Sequence, residues 1–147
     1  MPPFIKRNVA HNEYFMHSWA YSLLKDLSKK EDTNIKILIP KIISYDKKSK
    51  VLIMQTIHGD NLSNIYGEDI QEVPIKFIKI IRTFLYVLHQ YMVEYIDITG
   101  YNFMLDKQKH LWIIDFEHAT TRRPTDIPNP FLQEFMNGKL SWNPEFK

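Results

Sequence analysis

Between Tyr95 and Ala119 the chain reads YIDITGYNFMLDKQKHLWIIDFEHA, where Asp97 is followed five positions later by Asn102 and, thirteen residues after that, by Asp115. Two carboxylates and a neutral amide are hard oxygen donors of the kind Mg²⁺ accepts, and a carboxylate kept off the metal can take the proton of a hydroxyl. Lys6 adds a compact cation that can meet a polyphosphate. Spacing alone proves little. With nine Asp and nine Asn in 147 residues, an Asp/Asn pair five apart arises by chance about half the time, so the surrounding elements must carry the argument.

Those elements can be read from periodicity. Phe4-Ile5-Lys6 is a short strand. Asn12 is placed to cap a helix whose apolar positions Phe15, Met16, Trp19, Ala20, Leu23, Leu24 and Leu27 recur at three- and four-residue intervals as one buried stripe. Ile35 to Leu38 follows, closed by Pro40, and then Ile42 to Tyr45 and Val51 to Ile57 form strands around the turn-forming Asp46 to Lys50. Gly59 and Gly67 punctuate a connecting segment. From Pro74, in the first helical turn, Ile78, Ile81, Leu85, Leu88 and Met92 predict a helix of about five turns. Phe103 to Leu105 and Leu111 to Ile114 make a hairpin around Asp106 to Lys109, and it delivers Asp115. Prolines at 124, 128, 130 and 144 leave the last two dozen residues with little regular structure beyond a short helix near Phe131 to Met136.

This is an α+β chain and a single domain in length, with residues 1–57 as a small lobe, 58–67 as a linker, 68–125 as a reduced large lobe and 126–147 as a looser tail. It has no cysteine, hence no disulfide, no thiolate nucleophile and no cysteine zinc site. A net charge of +2 with scattered lysines argues against a nucleic-acid surface. The start of the chain lacks the apolar run of a signal peptide, and Phe77 to Leu88 is broken by Lys79 and Arg82, so a soluble intracellular, cytoplasmic protein without membrane contact is expected. His11, His17, His89, His110 and His118 show no metal-ligand spacing, and Trp19, Trp112 and Trp142 read as packing anchors.

The order strand, helix, two strands, linker, long helix, loop, hairpin and metal turn resembles the protein-kinase-like superfamily, whose catalytic loop reads HRDxxxxN and whose metal turn reads DFG. The chain is similar to the RIO-type and aminoglycoside-phosphotransferase-like members, as a minimal, atypical serine/threonine kinase-like domain with a truncated fold. The resemblance implies ATP and Mg²⁺ as ligands. It makes Asp97 the catalytic base, Asn102 and Asp115 the metal ligands, and Lys6 the phosphate clamp held by Glu13. It makes Met54 a gatekeeper, brings the backbone of Gln55 and Ile57 to the adenine edge, and floors the pocket with Met104 and Ile114. His58-Gly59-Asp60 imitates an antibiotic-kinase motif, but Ile65 stands where its asparagine belongs.

The family pattern also breaks. Lys6 lies so near the start that no Gly-rich loop precedes it, Tyr95 and Ile96 replace the usual His and Arg, and Asp115-Phe116-Glu117 replaces DFG. Without that Arg, control through a phosphorylated activation loop is not expected. Only 32 residues follow Asp115, where the family's large lobe continues through helices that anchor the catalytic loop. The expectation is a phosphotransferase resembling a serine/threonine protein kinase; the alternative is an inactive pseudokinase or decoy that binds a partner kinase or its substrate.

Overall fold

Val51–Met54 (β4) is a run of β-branched and apolar residues, and it becomes the centre of a three-stranded antiparallel sheet in a computed structural model that describes residues 2–29 and 36–146. Phe4–Lys6 (β1) pairs on one side with Lys6 opposite Leu52, and Ile42–Asp46 (β3) pairs on the other through a register shift between Ile42 and Ser44. Leu52 and Met54 alternate inward and meet the buried Val9, with Tyr14 and Tyr45 stacked beside them at 4.4 Å. β4 ends at Met54, so Gln55 to Ile57 leave the ladder earlier than the sequence reading placed them.

His11–Ser28 (α1) follows with Glu13, Met16, His17, Ala20, Leu23, Leu24 and Leu27 buried; its apolar side chains join the main core, while Tyr14 packs on the small sheet's cluster. Two members of the expected stripe face outward instead, since Phe15 is 47% and Trp19 44% exposed. Residues two apart on a helix lie on nearly opposite sides, so burying Glu13 and His17 turns Phe15 and Trp19 away. Asn12 does not cap α1, because Ala10 holds that position; its side-chain amide donates instead to the Ala119 carbonyl at 3.0 Å.

A second sheet runs in the order Ile37–Leu38 (β2), Leu111–Ile113 (β8), Phe103–Asp106 (β7), Gly59–Asn61 (β5), with β2 parallel to β8 and the other pairs antiparallel. The segment expected to be a plain linker thus holds β5 and a short helix, Leu62–Tyr66 (α2), capped by the Asn61 side chain. Ile35, expected beside Ile37, lies outside the described residues.

Ile75–Gln90 (α3) fulfils its periodicity, burying Phe77, Ile78, Ile81, Phe84, Leu85 and Leu88 in the main core; Pro74 stands just before its first turn. Met92 lies beyond the helix at φ 67 and turns the chain into Val93–Glu94 (β6), which pairs with Thr120–Thr121 (β9). Pro130–Met136 (α4) matches the short helix expected there. The rest of the tail is not loose, because Trp142 and Asn143 are buried at 3% and 2% exposure. Among the described residues no helix is long and apolar enough to cross a membrane.

Candidate functional site

Lys6 is the last residue of β1, and seven residues on, Glu13 sits in the first turn of α1. Asn8 at φ 60 reverses the chain between them, so the ammonium of Lys6 meets the Glu13 carboxylate in a hydrogen-bonded ion pair. Lys6 Nζ also lies 3.4 Å from Asp115 Oδ1, which accepts the Glu117 amide at 2.9 Å. Three segments separated by up to 109 positions therefore close on one ammonium group.

The second half of the site is built by the loop before β7. Asp97 and Asn102 are each 7% exposed. Asn102 Nδ2 donates to the Asp97 carbonyl at 2.8 Å, which commits the amide nitrogen and leaves the amide oxygen as the end open to a cation. The Asn102 carbonyl accepts the Ile114 amide at 3.1 Å, so this loop and the residue before Asp115 are bolted together. Asp97 Oδ2 lies 3.1 Å from His118 Nδ1.

The electrostatics have two causes, burial first and then an excess of carboxylates over cations. Burial pushes the Asp97 carboxyl up, and the negative Asp115 adds to it against the hydrogen bonds from His118 and Asn102. Burial likewise raises Glu13, with Asp115 and Glu117 adding to the rise against the pull of Lys6. For Lys6, burial favours the neutral amine, but Glu13 and Asp115 outweigh it and its pKa is raised. A lysine kept charged among crowded carboxylates marks a place where further positive charge is favoured, and the free Asn102 oxygen suits the same ligand. Among the described residues no three acidic or histidine side chains form a ready-made cage, so phosphate oxygens and water would have to complete a Mg²⁺ shell.

Beside Lys6 and Asp115 opens a mostly apolar cavity of about 300 Å³, lined also by Met54, Gln55, Ile57, Met104 and Ile114. Every residue read from the sequence as adenine-facing is there. Glu13, Asp97 and Asn102 do not line it. The Gln55 amide already donates to the Lys41 carbonyl at 2.8 Å, so a heterocycle edge at this position could meet only the Gln55 carbonyl. Phe4, Pro40 and Thr56 line the cavity too and were missed. Phe4 had a signal, since it stands two before Lys6 on a strand and shares its face. His118 had none, because its link to Asp97 spans 21 positions without a spacing rule.

Tyr95, in the place of the expected His, is buried and stacks edge-on to Phe116 at 5.6 Å. Phe116 in turn contacts His17 at 5.1 Å, and His17 Nε2 bonds the Pro40 carbonyl at 2.7 Å. This column ties α1 to the loop through the middle of the Asp115-Phe116-Glu117 turn.

The sequence profile of the RIO domain matches residues 4–133. Among solved structures, the Cydia pomonella granulovirus kinase PK-1 superimposes with a TM-score of 0.57 at 16% identity, covering 80% of this chain and 42% of that one. The Mycobacterium tuberculosis protein Rv3197, in its erythromycin complex, gives a TM-score of 0.50 at 17% identity, covering 85% of this chain and 34% of that one. The chain therefore spans less than half the length of either, and what it shares with them at such identities is the fold. No curated protein sequence matches it significantly.

Proposed function

Because the chain belongs to the RIO domain family and has a kinase-like fold, we propose that it binds Mg-ATP in the cleft beside Lys6 and Asp115 and transfers the terminal phosphoryl group to a hydroxyl of a protein, as a serine/threonine kinase does. The observation that carries this reading is the meeting of Lys6 and Asp115 in the wall of the apolar cavity, with Glu13 holding Lys6 from outside it. The adenine would lie between Met54 and Met104, with its edge at the Gln55 carbonyl and the Ile57 backbone. Lys6 would shift from Asp115 toward the phosphates while Glu13 keeps it aimed. Asn102 and Asp115 would hold Mg²⁺, which supplies charge neutralisation on the phosphate oxygens when bound.

In the transfer, a bond forms between the acceptor oxygen and the γ-phosphorus while the bridging bond to the β-phosphate breaks, and ADP leaves with the electron pair. The hydroxyl proton passes to Asp97, whose raised pKa makes it a better acceptor than an ordinary surface carboxylate. Placement of the reactants and charge neutralisation account for most of the acceleration in such chemistry.

Melting with and without Mg-ATP tests the site. At a hundred times its dissociation constant a ligand adds about 2.7 kcal/mol, so the wild type should melt measurably higher with Mg-ATP and Asp115→Ala should not. Equal behaviour of the two proteins refutes the reading. A second reading, a nucleotide-responsive module that docks a partner kinase or its substrate without transfer, draws on Asp97 and Asn102 lying outside the cavity lining. Release of ADP from Mg-ATP separates the two: loss of turnover in Asp97→Asn supports the enzyme, and nucleotide-induced stabilisation with no turnover in the wild type supports the module.

A further inference from the structure

We propose that His118 is a positioning residue that fixes the Asp97 carboxylate, and that the segment Trp142–Phe146 holds it in place. This rests on the reading of Asp97 as the base. A base must present one carboxylate oxygen to the acceptor, yet a carboxylate turns freely about its last bond unless the other oxygen is held. Asp97 Oδ2 is held by His118 Nδ1 at 3.1 Å, the one ion-pair partner of Asp97 among the described residues. Asn102 donates its amide nitrogen to the Asp97 carbonyl at 2.8 Å, and its pull on the carboxylate is weaker than that of His118. With Oδ2 as acceptor, Nδ1 carries the proton, and Oδ1 is left for the acceptor hydroxyl.

The His118 side chain is 43% exposed, and on its own such a contact to a half-open ring would be weak. Two further observations lift it above an ordinary surface pair. The ring of Phe146 packs against His118 with centroids 4.7 Å apart. Three residues before Phe146, the buried Asn143 donates its backbone N–H to the Ile98 carbonyl at 2.8 Å and its Nδ2 to the Ile96 carbonyl at 2.8 Å. One short strap therefore grips the main chain on both sides of Asp97 and backs the imidazole that grips its side chain. Trp142, stacked near Phe103, roots the strap in the core.

The test compares ADP release from Mg-ATP, with water as acceptor, in wild type, His118→Phe and His118→Asn. Phenylalanine keeps the ring against Phe146 and removes the donor, whereas the Asn amide nitrogen can stand where Nδ1 stood. A misplaced catalytic group costs on the order of 10–100-fold, so His118→Phe should lose that much kcat, His118→Asn should recover most of it, and both should keep the wild-type melting shift with Mg-ATP. Undiminished kcat in His118→Phe overturns the proposal, as does an equal loss in both variants. Absence of wild-type turnover, or an unimpaired Asp97→Asn, fells the underlying reading of Asp97 instead. Nitrogen-15 shifts of His118 give a readout without turnover: a proton on Nδ1 that responds to Asp97→Asn is expected, and a neutral ring protonated on Nε2 that ignores Asp97→Asn overturns the pairing.

Discussion

The ion pair of Lys6 with Glu13 sets how the cleft behaves at the scale of single residues. Glu13 is buried and Lys6 is 28% exposed, so Lys6→Met strands a carboxylate in the interior. The loss should be about 1–3 kcal/mol, below the cost of breaking a fully buried pair because water still reaches Lys6, and a urea midpoint measures it. His17 makes a pH prediction. Burial holds its pKa below the ordinary 6.5, and the carbonyl of Pro40 only partly offsets this. The unfolded chain therefore binds this proton at a higher pH than the folded chain does. The His17 contribution to stability is complete above pH 6.5 and falls away as pH drops through the folded value. His17→Gln can keep a donor for the Pro40 carbonyl without titrating, so the difference between midpoints at about pH 7.5 and 5.5 should shrink in the variant; an unchanged difference would show that other groups carry the acid sensitivity. The kinase resemblance singled out Lys6, Glu13 and Asp115 in the sequence, and the three side chains do meet in the fold. His118 and Pro40 were illegible, because each enters through a contact that only the folded chain creates.

Elements were legible where one physical signal dominated and obscure where two competed. The α3 stripe is apolar along its length, so period and burial agree. In α1 the apolar residues suggested one face while the pairing of Glu13 with Lys6 demanded another. The ionic and aromatic contacts prevailed, leaving Phe15 and Trp19 outside. Strand β5 was hidden for a different reason. Gly59-Asp60-Asn61 has poor strand composition, and its pairing with β7 places Gly59 opposite Asp106. A Cβ on Gly59 would fall 1.8 Å from the Leu105 carbonyl oxygen, against backbone that cannot swing aside. Gly59→Ala should therefore push β5 off β7, with a loss of about 1–3 kcal/mol as for other overpacked sites. Amide exchange should quicken in Asp60 and Leu105 before it does in α3. Retention of full protection at those two amides would mean that the sheet absorbs the methyl elsewhere.

At the scale of the whole molecule, the site depends on how distant segments are tied. β2 joins the second sheet beside β8 and β5 joins it beside β7, so the segments that flank the β3–β4 hairpin both anchor to the hairpin that carries Asp115. The tail closes the other side. Four prolines predicted a looser tail with little regular structure there, but proline only forbids regular ladders, and Leu132, Phe135 and Trp142 bury enough apolar surface to dock the segment without one. Its docking brings Asn143 under the loop of Asp97, which gives that loop an anchor inside the chain where the sequence suggested none. Asn143→Ala removes the donor to the Ile96 carbonyl and the acceptor for the Glu145 amide while sparing the backbone bond to Ile98. A buried carbonyl left unpaired costs about 1–3 kcal/mol, so the variant should fold with a lowered urea midpoint. Because Met104 lines the cavity while its neighbour Phe103 faces Trp142 from the opposite side of β7, the Mg-ATP melting shift should persist while ADP release slows. If turnover fell only in proportion to a weakened nucleotide shift, the strap would be serving the cavity rather than Asp97, and the division of the site into a nucleotide half and a loop half would have to be abandoned.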